Sequence, residues 1–231
     1  MQIIEMTVTG VRSAALRVRR HNTPLWFTLF PMIHVAQPSF YDEVAARLRS
    51  VDLIVAEGIK SDAPENDPIM RMYQQFSRGP GRPIVVQNID YASLGPPVVN
   101  PDLTGAELDE RLRRQVPLAE RLLTRASLPV VGWAVRLLGP QVIMNRYLEL
   151  EDLPTAERHD LDQDAELDVI LHQRDALVVQ ALAGIYAEHE HDQMHVAVVY
   201  GAEHVIGIFR YLSRTLRYRV VGAEWLDVYP F

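Results

Sequence analysis

The chain has no cysteine. Disulfides, Cys-ligated metal clusters and a Cys nucleophile are therefore excluded. The absence fits a reducing compartment and is also compatible with export; a cytoplasmic location is the expectation. A basic surplus is also missing: 23 Lys and Arg face 30 Asp and Glu, for a net charge of −7. A general nucleic-acid binder needs the opposite balance to neutralise phosphates, so no nucleic-acid partner is expected. There is no apolar run long enough to span a bilayer. The nearest approach, SLPVVGWAVRLLGPQVIM from Ser127 to Met144, is broken by two prolines and Arg136. It reads as a buried helix, a cover over a cleft or a dimer contact, which leaves a homodimer as one expectation. No basic start followed by an apolar core marks a signal peptide. GxSxG, P-loop, GxGxxG and HExxH signatures are all lacking, which leaves serine hydrolase, NTPase, dinucleotide and zincin readings without support.

What is present is an ordinary globular balance, with 48% hydrophobic and 23% charged residues over 231 positions. That length suits one α/β domain with a sizeable core. Ile3–Thr9 and Ala14–Arg20 alternate as strands around Gly10 and predict an antiparallel hairpin. LWFTLFPMI (Leu25–Ile33), VDLIVAEG (Val51–Gly58) and HVAVVYG (His195–Gly201) are near-continuous apolar runs of strand length, the mark of strands buried on both faces. Between the first two, Pro38 and Ser39 open a helix, with Ser39 as candidate N-cap. Strand, helix and strand with short connections predict a parallel βαβ unit. RPIVVQNID (Arg82–Asp90) is a further candidate strand, and YASLGPPVVNPDL after it reads as loop. A short helix is expected over Asp67–Ser77. Thr104, with Glu107 three residues on, has the form of a capping box opening an inserted helical region over about 104–150. Glu151–Glu166 is an acidic connection. A long helix spans about Asp164–Glu188, a last helix runs His204–Arg214, and Leu216–Tyr229 is a strand pair or one long edge strand. The fold class expected is α/β: a mixed, largely parallel central sheet flanked by helices, with a helical insertion and an N-terminal hairpin, all in one domain.

Three ionisable residues share one topological address. His34 ends the first buried run, Glu57 ends the second, and His204 follows the third. Ligands in open α/β sheets bind outside the carboxyl ends of the strands, so these residues converge. Two imidazoles and a carboxylate suit a divalent zinc, manganese or cobalt ion. They equally suit a metal-free acid–base cluster. One histidine after a strand is most often a turn or cap residue; three groups at matching ends shift the balance towards function. Arg174 lies on the apolar side of its helix, with Leu171, Val178, Leu182 and Ile185. Its guanidinium therefore needs a partner, either an anion or an acid such as Asp175 or Glu57. His189, His191 and His195 resemble a metal tract by composition, but their place at a helix end favours a structural role.

MIHVAQPSFYDEVAARLRSVDLIVAEG resembles the opening motif of the TraB/GumN family, which includes the TIKI metalloproteases and the pheromone-shutdown proteins. VILHQRDALVVQAL resembles that family's Arg-containing helix, and HVAVVYGAEHVIGIFRYL its closing GxxH motif. The resemblance covers about Thr28 to Leu212, and the family it points to is placed near the ChaN-like and erythromycin-esterase-like proteins. It implies an α/β fold whose cleft holds His34, Glu57, Arg174 and His204, with Asp102 as a further acidic position binding substrate beside Arg174. Pro31 stands where the family's opening motif has Gly, and Glu203 where many members have a small residue. The activity implied is metal-dependent hydrolysis of a peptide or small-molecule substrate. His34, Glu57 and His204 would hold the metal, Glu57 or Glu203 would take the proton, and Arg174 would face the oxyanion. The alternatives are a non-catalytic ligand- or peptide-binding protein and a metal-free esterase-like hydrolase with His34 as base.

Overall fold

The computed structural model describes residues 2–58, 84–124, 126 and 168–230. The expected helix over Asp67–Ser77, the apolar run from Ser127, the acidic connection and most of the helical insertion lie outside these residues.

The chain opens on a hairpin of β1 (Ile4–Thr7) and β2 (Gly10–Arg19), with its turn at Val8 and Thr9 rather than at Gly10. Gly10 begins β2 at φ 153°, and a β-carbon there would lie 2.4 Å from the Tyr229 carbonyl oxygen. Only glycine permits that approach and that dihedral angle. The apolar run after the hairpin forms β3 (Trp26–Met32), with a two-residue β4 (Val35–Ala36) beyond His34. Helix α1 (Pro38–Leu48) starts with Pro38 at its first position and Gln37, not Ser39, at the N-cap. Proline is preorganised for that first position and loses no helical hydrogen bond there. Helix α1 leads to β5 (Leu53–Ala56).

β6 is only Val85–Val86 and pairs antiparallel with β4, in a small sheet of two strands. It does not join the central sheet as the run Arg82–Asp90 predicts. That place is taken by β7 (Val98–Val99), within the stretch read as loop, which pairs parallel with β5. The prolines at 96 and 97 give this region its turn composition, and two β-branched residues suffice to add an edge. Helix α2 (Gly105–Gln115) has the capping box expected at Thr104 and Glu107. Helix α3 (Gln173–His189) follows a π-turn at Asp168–His172. β8 (His195–Gly201) passes without a loop into helix α4 (Ala202–Arg214), and β9 (Arg219–Pro230) is one long strand.

The central sheet is mixed. β3, β8, β5 and β7 run parallel, with β8 between β3 and β5. On the other side of β3 the pairing is antiparallel: β1 meets Gly10–Ser13 of β2, β3 meets Leu16–Arg19, and β9 runs along the whole of β2. The core fills the space between sheet and helices. Val44 and Leu48 of α1, Val178 and Leu182 of α3, and Val205, Ile208 and Leu212 of α4 are all fully buried, as are Phe27, Leu29, Val196 and Val198 of the sheet. Each such side chain contributes about 1.5–3 kcal/mol relative to exposure. Among the described residues, no helix is long and apolar enough to cross a membrane.

Pro31 is accommodated in β3 for a local reason. The β2–β3 pairing stops at Leu29. The Pro31 carbonyl then accepts a hydrogen bond from the buried Ser13 hydroxyl at 2.6 Å. The strand therefore reaches His34 in register, with the Pro31–Tyr200 and Met32–Gly201 pairs intact.

Candidate active site

The carboxyl ends of β3, β5 and β8 carry the three residues that the sequence pattern picks out, and they meet at Gly201. A β-carbon built on Gly201 would lie 3.1 Å from Glu57 Oε2, 3.4 Å from His34 Nε2 and 3.7 Å from His204 Cδ2. The absence of a side chain there is what lets the three approach one another. Gly201 also acts through its backbone, donating its N–H to Glu57 Oε2 at 2.5 Å.

Each member is held by its own element. The Ile33 carbonyl accepts from the Tyr41 hydroxyl at 2.7 Å, and the His34 carbonyl accepts from Gln87 N–H at 2.8 Å. On the ring, His34 Nδ1 lies 3.3 Å from Gln87 Oε1. An amide oxygen only accepts, so this contact places a proton on Nδ1, while Nε2 faces Gly201. Glu57 is fixed by its backbone N–H to the Val199 carbonyl at 2.9 Å. His204 sits in the first turn of α4, with its ring edge-on to Tyr200 at 5.8 Å.

Helix α3 supplies Arg174 and Asp175 on successive positions. Arg174 grips Asp102 in a fork, Nε to Oδ1 at 2.9 Å and Nη2 to Oδ2 at 2.6 Å. The same Nη2 donates to Glu57 Oε1 at 2.7 Å. Asp102 is itself anchored by Gly58 N–H at 3.2 Å and Leu103 N–H at 2.8 Å, while the Asn100 amide donates to the Gly58 carbonyl at 2.8 Å. Asp175 does not pair with Arg174. Its Oδ1 lies 2.7 Å from His204 Nδ1. His204 Nε2 faces Glu57 Oε1 at 3.4 Å, an ion-pair distance rather than a good hydrogen bond.

The electrostatics follow from these contacts. Burial alone would raise the Glu57 carboxyl, but His204, His34 and Arg174 outweigh it and hold Glu57 well below the usual carboxylate range. Burial alone would lower the His204 imidazole; the Asp175 hydrogen bond and the Glu57 carboxylate reverse this and push it up to about 9. Burial opposes the Arg174 cation too, yet Asp102 and Glu57 keep its affinity for the proton above the ordinary value. At neutral pH the Glu57 carboxylate therefore lies between the Arg174 guanidinium and the His204 imidazolium. Burial, with the Asp102 and Glu57 charges, raises the Tyr200 phenol and keeps it protonated. Among the described residues its hydroxyl has no hydrogen-bond partner.

Comparison with known protein families, with curated proteins and with solved structures returns no match.

Of the expected site residues, the structure gathers His34, Glu57, Asp102, Arg174 and His204 into one network. Glu203 is exposed on the outer side of the first turn of α4 and takes no part in it. Asp102 is buried under Arg174, so it serves to hold the guanidinium. Sequence reasoning missed the roles of Asp175, Gln87 and Asn100. Asp175 carried a signal, since its neighbours at i−4 and i+3, Leu171 and Val178, lie on the apolar side of α3. Gln87 and Asn100 lie in irregular segments, where periodicity says nothing.

Zinc, manganese or cobalt requires lone pairs directed at a common point. Here Glu57 already accepts from Arg174 and Gly201, and both nitrogens of His204 face carboxylates. Among the described residues, no group of three or more His, Cys, Asp or Glu side chains is disposed to hold a metal ion. As arranged, these donor atoms are engaged with one another and with Arg174, Gly201 and Asp175 rather than directed at one shared point. The site brings two imidazoles of different surroundings to one point, His34 against Gln87 and His204 between Asp175 and Glu57.

Proposed function

We propose that the protein is a metal-independent hydrolase acting on a peptide or small-molecule ester or amide. The observation that carries this reading is the division of labour between two imidazoles around Gly201. His34 turns Nε2 towards Gly201 with Nδ1 against Gln87, while His204 is held between Asp175 and Glu57, which raise its affinity for the proton.

In this reading His34 Nε2 takes a proton from a water as its oxygen bonds to the substrate carbonyl carbon. The carbonyl becomes an oxyanion beside the amino end of α4, whose N–H groups and dipole favour negative charge, and beside the His204 imidazolium. Collapse breaks the carbon–leaving-group bond, and His34 returns its proton to the departing oxygen or nitrogen. Glu57 stays ionised and aligned by Arg174 and Gly201. The order of motifs shared with the TraB/GumN family supports a hydrolase of this broad kind.

The test uses protein purified without a metal-chelating tag, assayed on a panel of p-nitrophenyl esters and a peptide library. Hydrolysis is expected to survive EDTA and to fall about 10²–10⁴-fold in His34→Ala, the usual contribution of a general base. The convergence of His34, Glu57 and His204 also favours a manganese-, cobalt- or zinc-dependent hydrolase. Activity abolished by EDTA and restored by Mn²⁺, Co²⁺ or Zn²⁺ would establish that form instead. Retained ligand binding without any turnover would make the chain a binding protein.

A further inference from the structure

We infer that Asp175 is a positioning residue for His204, seated by a notch at Gly207 in α4. The kinetic part of this inference rests on the hydrolase reading above; the geometric part does not. Asp175 Oδ1 meets His204 Nδ1 at 2.7 Å. Its other oxygen occupies space on α4 that any side chain would fill, since a β-carbon at position 207 would lie 2.2 Å from Asp175 Oδ2 and 3.1 Å from its carboxyl carbon. Gly207 follows His204 by three positions, one turn further along the same face. Glycine inside a helix weakens it. Here the missing side chain is what admits the carboxylate to the imidazole.

A carboxylate only accepts hydrogen bonds, so this contact places a proton on Nδ1 and leaves Nε2 directed at Glu57. Adjacent helix positions diverge by about 100°. One turn of α3 thereby delivers a cation to Glu57 through Arg174 and an anion to His204 through Asp175. Glu57, beyond β5, and His204, beyond β8, are each gripped from the same helix by a group of opposite charge. Tyr200, edge-on to the His204 ring, limits its remaining freedom.

The experiment compares the full chain with Asp175→Asn and Gly207→Ala, the second displacing the carboxylate without removing it. Imidazole ¹H–¹⁵N spectra, assigned with His204→Gln, report the ring, and steady-state kinetics report the reaction. The wild type is expected to show an exchange-protected, downfield Nδ1–H signal from His204 that disappears in both variants. Circular dichroism should show both folded, with kcat down at least ~10-fold and KM within about 2-fold. Absence of the signal in the wild type, or its persistence in both variants, overturns the inference. So does a matched rise in KM with kcat unchanged. If Asp175→Asn does not fold, Gly207→Ala decides. A signal that behaves as expected in a chain that hydrolyses nothing supports the positioning role and rejects the hydrolase reading alone.

Discussion

The charge state of His204 has a measurable consequence for stability. The side chain is 5% exposed. Its proton affinity rises from the ordinary 6.5 to about 9 in the folded protein because Asp175 and Glu57 outweigh the cost of burial. A group whose affinity is raised on folding stabilises fully below its unfolded value, and that stability is lost as pH climbs through the folded one. The window is therefore pH 6.5 to 9. At ~1.4 kcal/mol for each tenfold change, the loss across it is about 3 kcal/mol. That is a large part of the roughly 5–15 kcal/mol of a typical domain. His195 adds nothing in this window, since burial against Trp26 lowers it to about 4. Urea unfolding at steps between pH 6 and 9.5, on the wild type and on His204→Gln, isolates the effect. The variant should be the less stable at pH 6.5, and the gap should narrow by about 3 kcal/mol at pH 9. Parallel curves would refute the assignment of the imidazolium to His204.

Two further outcomes test the surrounding network. Arg174→Met leaves Glu57 and Asp102 buried without their cation, and should destabilise by about 3–5 kcal/mol in urea unfolding at pH 7, as loss of one partner from a buried ion pair does. Tyr200→Phe removes a buried hydroxyl that has no partner among the described residues. It should be neutral or stabilising by up to ~1 kcal/mol in the same measurement, because no hydrogen bond is given up.

The parallel half of the fold is legible because β3, β5 and β8 are buried on both faces and so appear as unbroken apolar runs. Their ends then announce His34, Glu57 and His204. Arg174 is legible for a complementary reason: a guanidinium on an apolar helix face requires a partner. Which acid it takes is not. Asp175 is next in sequence but points elsewhere, while Glu57 and Asp102 arrive through strand pairing. Local pattern also fails at β6 and β7. Val85–Val86 lies in the more strand-like segment, yet β5 takes Val98–Val99 as its neighbour, a choice made by tertiary contact. The N-cap of α1 differs from expectation because Pro38, preorganised for the first helical position, moves the boundary ahead of Ser39.

The pairing of β2 with β9 bears on how the molecule comes to exist. Gly10 pairs with Pro230 and Arg19 with Arg219. On a ribosome adding about 5–20 residues per second, one flank of β2 stays uncovered for on the order of 10–40 s while the intervening chain is made. β8, which sits between β3 and β5, is likewise late. His34 and Glu57 are synthesised early but cannot meet until β8 inserts between their strands. The site is thus assembled only when the sheet closes, and a nascent chain shortened before β8 carries His34, Glu57, Asp102 and Arg174 but lacks His204 and the strand that brings them together.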